Sequence, residues 1–175
     1  MISSNHHPSR GMLEYTMKIE EPHAEQQEPV MKVGEATSQD AEAIARIHRA
    51  TFEATYPKFP KLHSAEQDLE HFKNLLERSR ILVAKQNGEF AAYCAFGNGW
   101  LTDLYVAPEY QDQGLGTLLL NKAKDESSEL QLWTFQENQS ARRFYEHNGF
   151  VPAEETDGHA NEEKQPDIRY VWRKQ

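Results

Sequence analysis

From Val30 onward the apolar positions fall into regular spacings, and the changes of period along the chain predict its elements. Val30-Met31-Lys32-Val33 reads as a short first strand. Thr37 and Asp40, a hydroxyl and an acid at capping-box spacing, can satisfy the free amides of a helix start. Ala43, Ile47, Ala50 and Ala54 then recur as one helical face, until Pro57 and Pro60 remove the donors that further turns would need. Ser64 and Gln67 repeat the capping signature, and Leu69, Phe72 and Leu76 predict the inner face of a second helix.

The middle of the chain changes to short β-prone runs. Ile81-Leu82-Val83-Ala84 and Phe90 to Phe96 flank Asn87-Gly88, a pair that tolerates positive φ and so predicts a tight hairpin. Gly97-Asn98-Gly99 makes a second tight connection to a strand from Trp100 to Val106, ended by Pro108. These three strands should form an antiparallel meander. Leu115, Leu118, Leu119, Lys122 and Ala123 predict a helix, Leu130 to Thr134 a buried strand, and Ser140 to His147 a helix closed by Asn148-Gly149. Phe150-Val151 and Ile168 to Trp172 begin and end the last two strands. The order implies a single mixed α/β (α+β) domain over residues 30–175, with no internal repeat.

Composition changes this picture in four places. An apolar fraction of 38% is low for a compact domain, and the dilution lies in residues 1–29, where His, Glu, Gln, Pro and Ser predict a disordered tail. That tail has neither the apolar run of a secretory signal nor the acid-poor character of a transit peptide, and no transmembrane run occurs, so a cytoplasmic location is expected. A net charge of -9 opposes nucleic-acid and anionic-membrane partners and suits a cationic or amine-bearing one. The one cysteine, Cys94, excludes an internal disulfide and sits in a run that predicts burial. The eight histidines lack metal-ligand spacing, so no metal is expected.

The chemistry gathers around Gln111-Asp112-Gln113-Gly114-Leu115-Gly116, placed between a predicted strand and a predicted helix. Glycine lets backbone approach a ligand closely, and the first-turn amides of the following helix remain unpaired at the positive end of its dipole. Such a turn binds phosphate oxygens. A triphosphate loop would need a lysine after its last glycine, where Thr117 stands. A dinucleotide fingerprint is a closer rival, with Glu137 at a suitable distance, but Leu119 occupies its sixth position and the preceding strand belongs to a meander.

Two blocks, Leu104 to Leu119 and Asn138 to Phe150, resemble the GNAT superfamily of N-acetyltransferases, in the family's order and separation. The resemblance implies a mostly antiparallel sheet flanked by helices and splayed between its fourth and fifth strands, at Val106 and Trp133, with a bulge near Thr102 to Leu104. It implies acetyl-CoA as acyl donor. Backbone groups of Leu104, Tyr105 and Val106 would pair with the pantetheine arm, amides from Gln111 through Asp112, Gln113, Gly114, Leu115 and Gly116 to Thr117 would hold the pyrophosphate, and Asn138 would face the cofactor. Tyr145 would protonate the departing thiolate, and the Val106 amide would receive the oxyanion. Asp103 is the candidate base, with a plain solvent-facing strand residue as the alternative and Glu53 as the second choice. The amine acceptor would enter between Tyr56-Pro57-Lys58-Phe59-Pro60 and the loop from Thr156 to Asp167, where Glu162 and Glu163 could attract a cation. A CoA-binding module without turnover is the alternative, and a homodimer through a strand edge is compatible with the pattern.

Overall fold

A computed structural model describes residues 30–175, so the tail expected over 1–29 lies outside the described residues. The elements follow in the predicted order. A strand β1 (Met31–Glu35) leads to helices α1 (Ala41–Thr55) and α2 (Ala65–Arg78), then to β2 (Arg80–Gln86), β3 (Glu89–Gly97) and β4 (Trp100–Val106). Helix α3 (Leu115–Asp125), β5 (Glu129–Phe135), α4 (Gln139–His147), β6 (Val151–Thr156) and β7 (Asp167–Arg173) complete the domain.

Local chemistry sets the boundaries. Thr37 and Asp40 close a capping box on a 3-10 turn that feeds α1, and Ser64 and Gln67 close another on α2. Both hairpin turns carry left-handed pairs, the predicted one at Asn87-Gly88 and another at Asn98-Gly99 within the expected tight connection, all four residues at positive φ. The face of α1 is rotated from the expected one: Ala41, Ile44, Ala45, Ile47 and Thr51 are buried, whereas Ala50 and Ala54 are exposed. Alanine is a good helix former wherever it stands, so the larger Ile44 fixes the stripe and the alanines do not.

The strands form one mixed sheet in the order β1-β2-β3-β4-β5-β7-β6. Helices α1 and α2 cover one face, where Ile44, Ile47 and Phe72 pack on Ile81, Val83, Tyr93 and Ala95. Leu115, Leu119 and Leu120 of α3 cover the other, against Leu82, Cys94, Phe96, Leu101 and Leu132. With helices on both faces, β2 and β3 read as continuous apolar runs instead of alternating ones. On β5 the expectation of a buried strand holds for Leu130 and Leu132 but fails at Trp133, which is 41% exposed because its side of the strand opens onto a cleft.

Two irregularities create that cleft. Strands β4 and β5 run parallel and pair only at Trp100 and Gln131, with the Gln131 amide donating to the Gly99 carbonyl at 2.8 Å, and beyond this point they diverge. In the β3–β4 ladder Ala95 faces Asp103 while Phe96 faces Leu101, so Thr102 is the extra residue of a bulge. Side chains alternate strictly along a strand, so the bulge reverses every position after it. Leu101, Leu104 and Val106 therefore share the α3 face, whereas Tyr105 turns toward α1 and α2.

Candidate active site

The splay between β4 and β5 opens a groove of about 760 Å³ that brings most of the sequence-predicted residues together. Asp103, Leu104, Tyr105 and Val106 form one wall, Gln111, Asp112, Gly114, Leu115, Gly116 and Thr117 one end, and Asn138 and Tyr145 the wall opposite. Gln113 is the exception. Its side chain turns back to the Glu109 carbonyl at 3.3 Å and does not line the groove.

At the loop end, Asp112 (φ 60°) and Gly114 (φ 81°) are both left-handed, which turns the chain sharply into α3. The first intrahelical bond runs from the Leu118 amide to the Gly114 carbonyl at 3.0 Å, so the amides of Leu115, Gly116 and Thr117 have no acceptor within the helix. No side chain among the described residues caps them. Helices α2 and α4, by contrast, cap themselves through Ser64 and Asn138. A helix start left uncapped and facing a groove, with glycine at its entry, fits the pyrophosphate of a CoA-type ligand. Gly116 lies between Phe144 and Val106, where an added Cβ would sit 3.4 Å from the Phe144 ring.

Along the wall, the Ala107 amide donates to the Ala91 carbonyl at 2.9 Å, which fixes the alternation of the β3–β4 ladder. The backbone groups of Tyr105 consequently turn to β3, and those of Leu104 and Val106 turn to the open side, where β5 has diverged. Of the three residues expected to offer backbone groups to a cofactor arm, Leu104 and Val106 present theirs to the groove. The Val106 carbonyl accepts from Gln111 Nε2 at 3.1 Å, while the Val106 amide, like that of Leu104, points into the groove. Asn138 is also committed: its Oδ1 accepts from the Ala141 amide at 3.0 Å, and its Nδ2 donates to the Tyr56 hydroxyl at 2.6 Å. It shapes the groove by holding Tyr56 in place.

Tyr145 packs its ring against Phe144 and Phe150. No hydrogen bond from its hydroxyl occurs among the described residues, and burial pushes the phenol well above its ordinary pKa, so it remains protonated. Cys94 is fully buried in β3, and burial likewise holds its thiol protonated.

A second cavity, of about 290 Å³, adjoins the groove, with Tyr56 lining both. The rings of Phe52, Tyr56 and Phe59 line it, with Tyr56 and Phe59 stacked at 4.7 Å between centroids. The predicted acceptor segments do meet here: Tyr56, Pro57, Phe59 and Pro60 face Glu163, although Lys58 is not among the lining residues. Glu162 instead reaches His63 Nε2 at 2.9 Å. Glu53 accepts from Lys61 at 2.9 Å and lies 3.5 Å from Arg49, and the Lys61 bond holds its carboxyl below the usual range. A carboxylate so paired is poorly suited to act as a base.

Asp103 belongs to a network that sequence reasoning missed. Its Oδ1 accepts from the Tyr93 hydroxyl at 3.2 Å, and that hydroxyl lies 3.0 Å from His48 Nδ1. A tyrosine in an otherwise apolar strand needs a polar partner, which was the available signal at Tyr93. His48 follows Ile44 by one turn and would have fallen on the inner stripe had the helical period been anchored there.

Residues 41–150, well over half of the chain, match the profile of the acetyltransferase (GNAT) family. The chain belongs to this family. An uncharacterised N-acetyltransferase of Archaeoglobus fulgidus is 25% identical over 134 residues, 66% of this chain and 89% of its own. Among solved structures, the yncA protein of Salmonella typhimurium with its cofactor acetyl-CoA superposes with a TM-score of 0.64 at 18% identity, over 82% of this chain and 94% of that one. The paia N-acetyltransferase of Thermoplasma acidophilum in complex with coenzyme A gives 0.65 at 21% identity, over 83% and 99%. The GNAT fold, with its seven-stranded sheet and parallel β4–β5 pair, is thus shared with these structures. No helix among the described residues is long and apolar enough to cross a membrane.

Proposed function

We propose that the protein transfers an acetyl group from acetyl-CoA to a primary amine by direct attack within a ternary complex. The observation that carries this reading is the free edge of β4 at Leu104 and Val106, continuous with the uncapped start of α3 and lined on its far side by Tyr145. Acetyl-CoA has the matching parts in the same order: an amide-bearing arm for the strand edge and a pyrophosphate for the helix start.

The residues divide the work by chemistry. The Leu115, Gly116 and Thr117 amides bind the pyrophosphate, and Leu104 and Val106 pair with the arm. The Val106 amide then lies where the thioester oxygen gains charge, and a fixed donor there lowers the barrier to attack. The Tyr145 proton goes to the sulfur as the C–S bond breaks. The aromatic cavity receives the body of the amine, with Glu163 attracting its ammonium. Its proton leaves toward the Asp103 network before the nitrogen attacks. Direct transfer is favoured because Cys94, buried and protonated, offers no thiolate for an acyl-enzyme.

Calorimetric titration with acetyl-CoA, followed by thiol release in the presence of a panel of alkyl- and arylalkylamines, tests the reading. Binding followed by amine-dependent thiol release and an acetylated product supports it. Binding without release from any amine leaves a CoA-binding module, and absence of binding sinks both.

A further inference from the structure

The geometry points to His48 Nε2 as the atom that takes the proton from the acceptor ammonium, with Tyr93 and Asp103 fixing its tautomer from behind. The inference rests on the transferase reading above and adds to it the residue that begins the reaction.

The available protons fix the direction of each bond. A tyrosine hydroxyl has one proton to give, and an ionised carboxylate can only accept. Tyr93 donates to Asp103 Oδ1 at 3.2 Å, so its oxygen must accept from the other neighbour, His48 Nδ1, at 3.0 Å. The Nδ1 of His48 therefore carries the hydrogen, and Nε2 carries the lone pair. Such a chain performs the task of the carboxylate behind a catalytic histidine, holding the ring in one tautomer and stabilising the imidazolium once it forms. Asp103 Oδ1 lies 3.8 Å from Nδ1, close enough to act on that charge directly as well.

Placement agrees with the role. His48 lines the aromatic cavity, whereas Asp103 lines the cofactor groove, so the chain of three residues joins the two. Asp103 is thereby a positioning residue, and the geometry of strand β4 explains why: the bulge at Thr102 sends its side chain toward α1 instead of α3. The ring of His48 is held by Phe52, Phe72 and Tyr105 at 6.0, 5.2 and 4.7 Å between centroids. The charged and titratable groups facing it are Asp103 and Tyr93 from the sheet, Asp68 and His71 from α2, and its neighbour Arg49. Burial dominates among them and draws the imidazole below its ordinary pKa, against the pull of Asp103 and Asp68, so the ring is neutral and ready to accept.

The step balances without any further reactant. One ammonium N–H bond breaks as the Nε2–H bond forms, and the freed nitrogen pair attacks the thioester carbon; the C–S bond then breaks as Tyr145 gives its proton to sulfur, the second proton shed by the nitrogen as it becomes an amide restores Tyr145, and His48 releases its proton to solvent.

The test is the pH profile of kcat/KM for acetyl transfer to 2-phenylethylamine, or to whichever amine of the panel turns over best, in wild type, His48→Gln and Tyr93→Phe. Alongside, acetyl-CoA affinity is measured by calorimetry and the His48 tautomer by long-range proton–nitrogen NMR. The expected result is a rate that rises with pH through the His48 titration, a fall of about 100-fold in His48→Gln with loss of that limb, and unchanged acetyl-CoA binding. NMR should place the proton on Nδ1 in wild type and a mixture of tautomers in Tyr93→Phe. A His48→Gln rate within threefold of wild type with the limb intact, or a wild-type proton on Nε2, overturns the role of His48 and leaves the transferase reading standing. A wild type that binds acetyl-CoA and acetylates no amine overturns both.

Discussion

The cofactor groove and the aromatic cavity meet at Tyr56 yet are built from different materials. The groove presents backbone: the first-turn amides of α3 and the free edge of β4, with no lysine or arginine among its lining residues. The cavity presents side chains: rings from α1 and the segment after it, and Glu163 from the loop between β6 and β7. Backbone recognition tolerates exchange of most side chains so long as the turn and the splay persist. The cavity's chemistry, by contrast, changes with each residue that lines it. A donor common to many reactions suits the first, and choice of acceptor suits the second.

The comparison breaks most sharply at Gly114. Gly114→Glu combines a left-handed backbone, which costs a side chain about 1–2 kcal/mol, with a carboxylate beside the pyrophosphate, a like-charge contact of several kcal/mol. Acetyl-CoA affinity should fall by at least about 100-fold, measured by calorimetry. Gly114→Ala separates the two causes: its Cβ meets nothing within 4 Å, so only the strain remains and binding should largely persist.

Tyr145→Phe removes a hydroxyl that has no protein partner among the described residues and keeps the ring packing on Phe144 and Phe150, so folding and acetyl-CoA binding should both survive. A fall in kcat of about 100-fold is expected, and an unchanged kcat would remove Tyr145 from the mechanism. The smallest effect belongs to the cavity. Phe59→Ala deletes a ring stacked on Tyr56 and edge-on to Phe135 at 5.1 Å. Each such aromatic pair contributes about 0.5–1.5 kcal/mol, so KM for the amine should rise about tenfold with acetyl-CoA affinity unchanged. A matching loss of acetyl-CoA affinity would show that the cavities respond as one site through Phe135, which lines the groove.

The order of elements was legible because each boundary had a local cause: two capping boxes, two left-handed turns, and prolines after α1 and β4. The groove was nearly as legible, since glycine and turn positions encode backbone conformation and the two motif blocks sit at its ends. What the sequence did not reveal had tertiary causes. Asn138 lines the groove, and the fold engages its amide with the Ala141 N–H and with the hydroxyl of Tyr56, 82 positions away. Within the loop motif, the Gln113 side chain turns back to the Glu109 carbonyl.

The sequence by itself determined the strands and helices, the left-handed entry to α3 and the burial of Cys94, because periodicity, glycine and capping act over a few residues. Only the tertiary structure decided which faces of β4 meet which helices, since one extra residue at Thr102 reverses every side chain beyond it. Only the tertiary structure brought His48, Tyr93 and Asp103 within hydrogen-bonding reach from α1, β3 and β4. A proton path of this kind depends on distances set by packing, and no spacing along the chain encodes them.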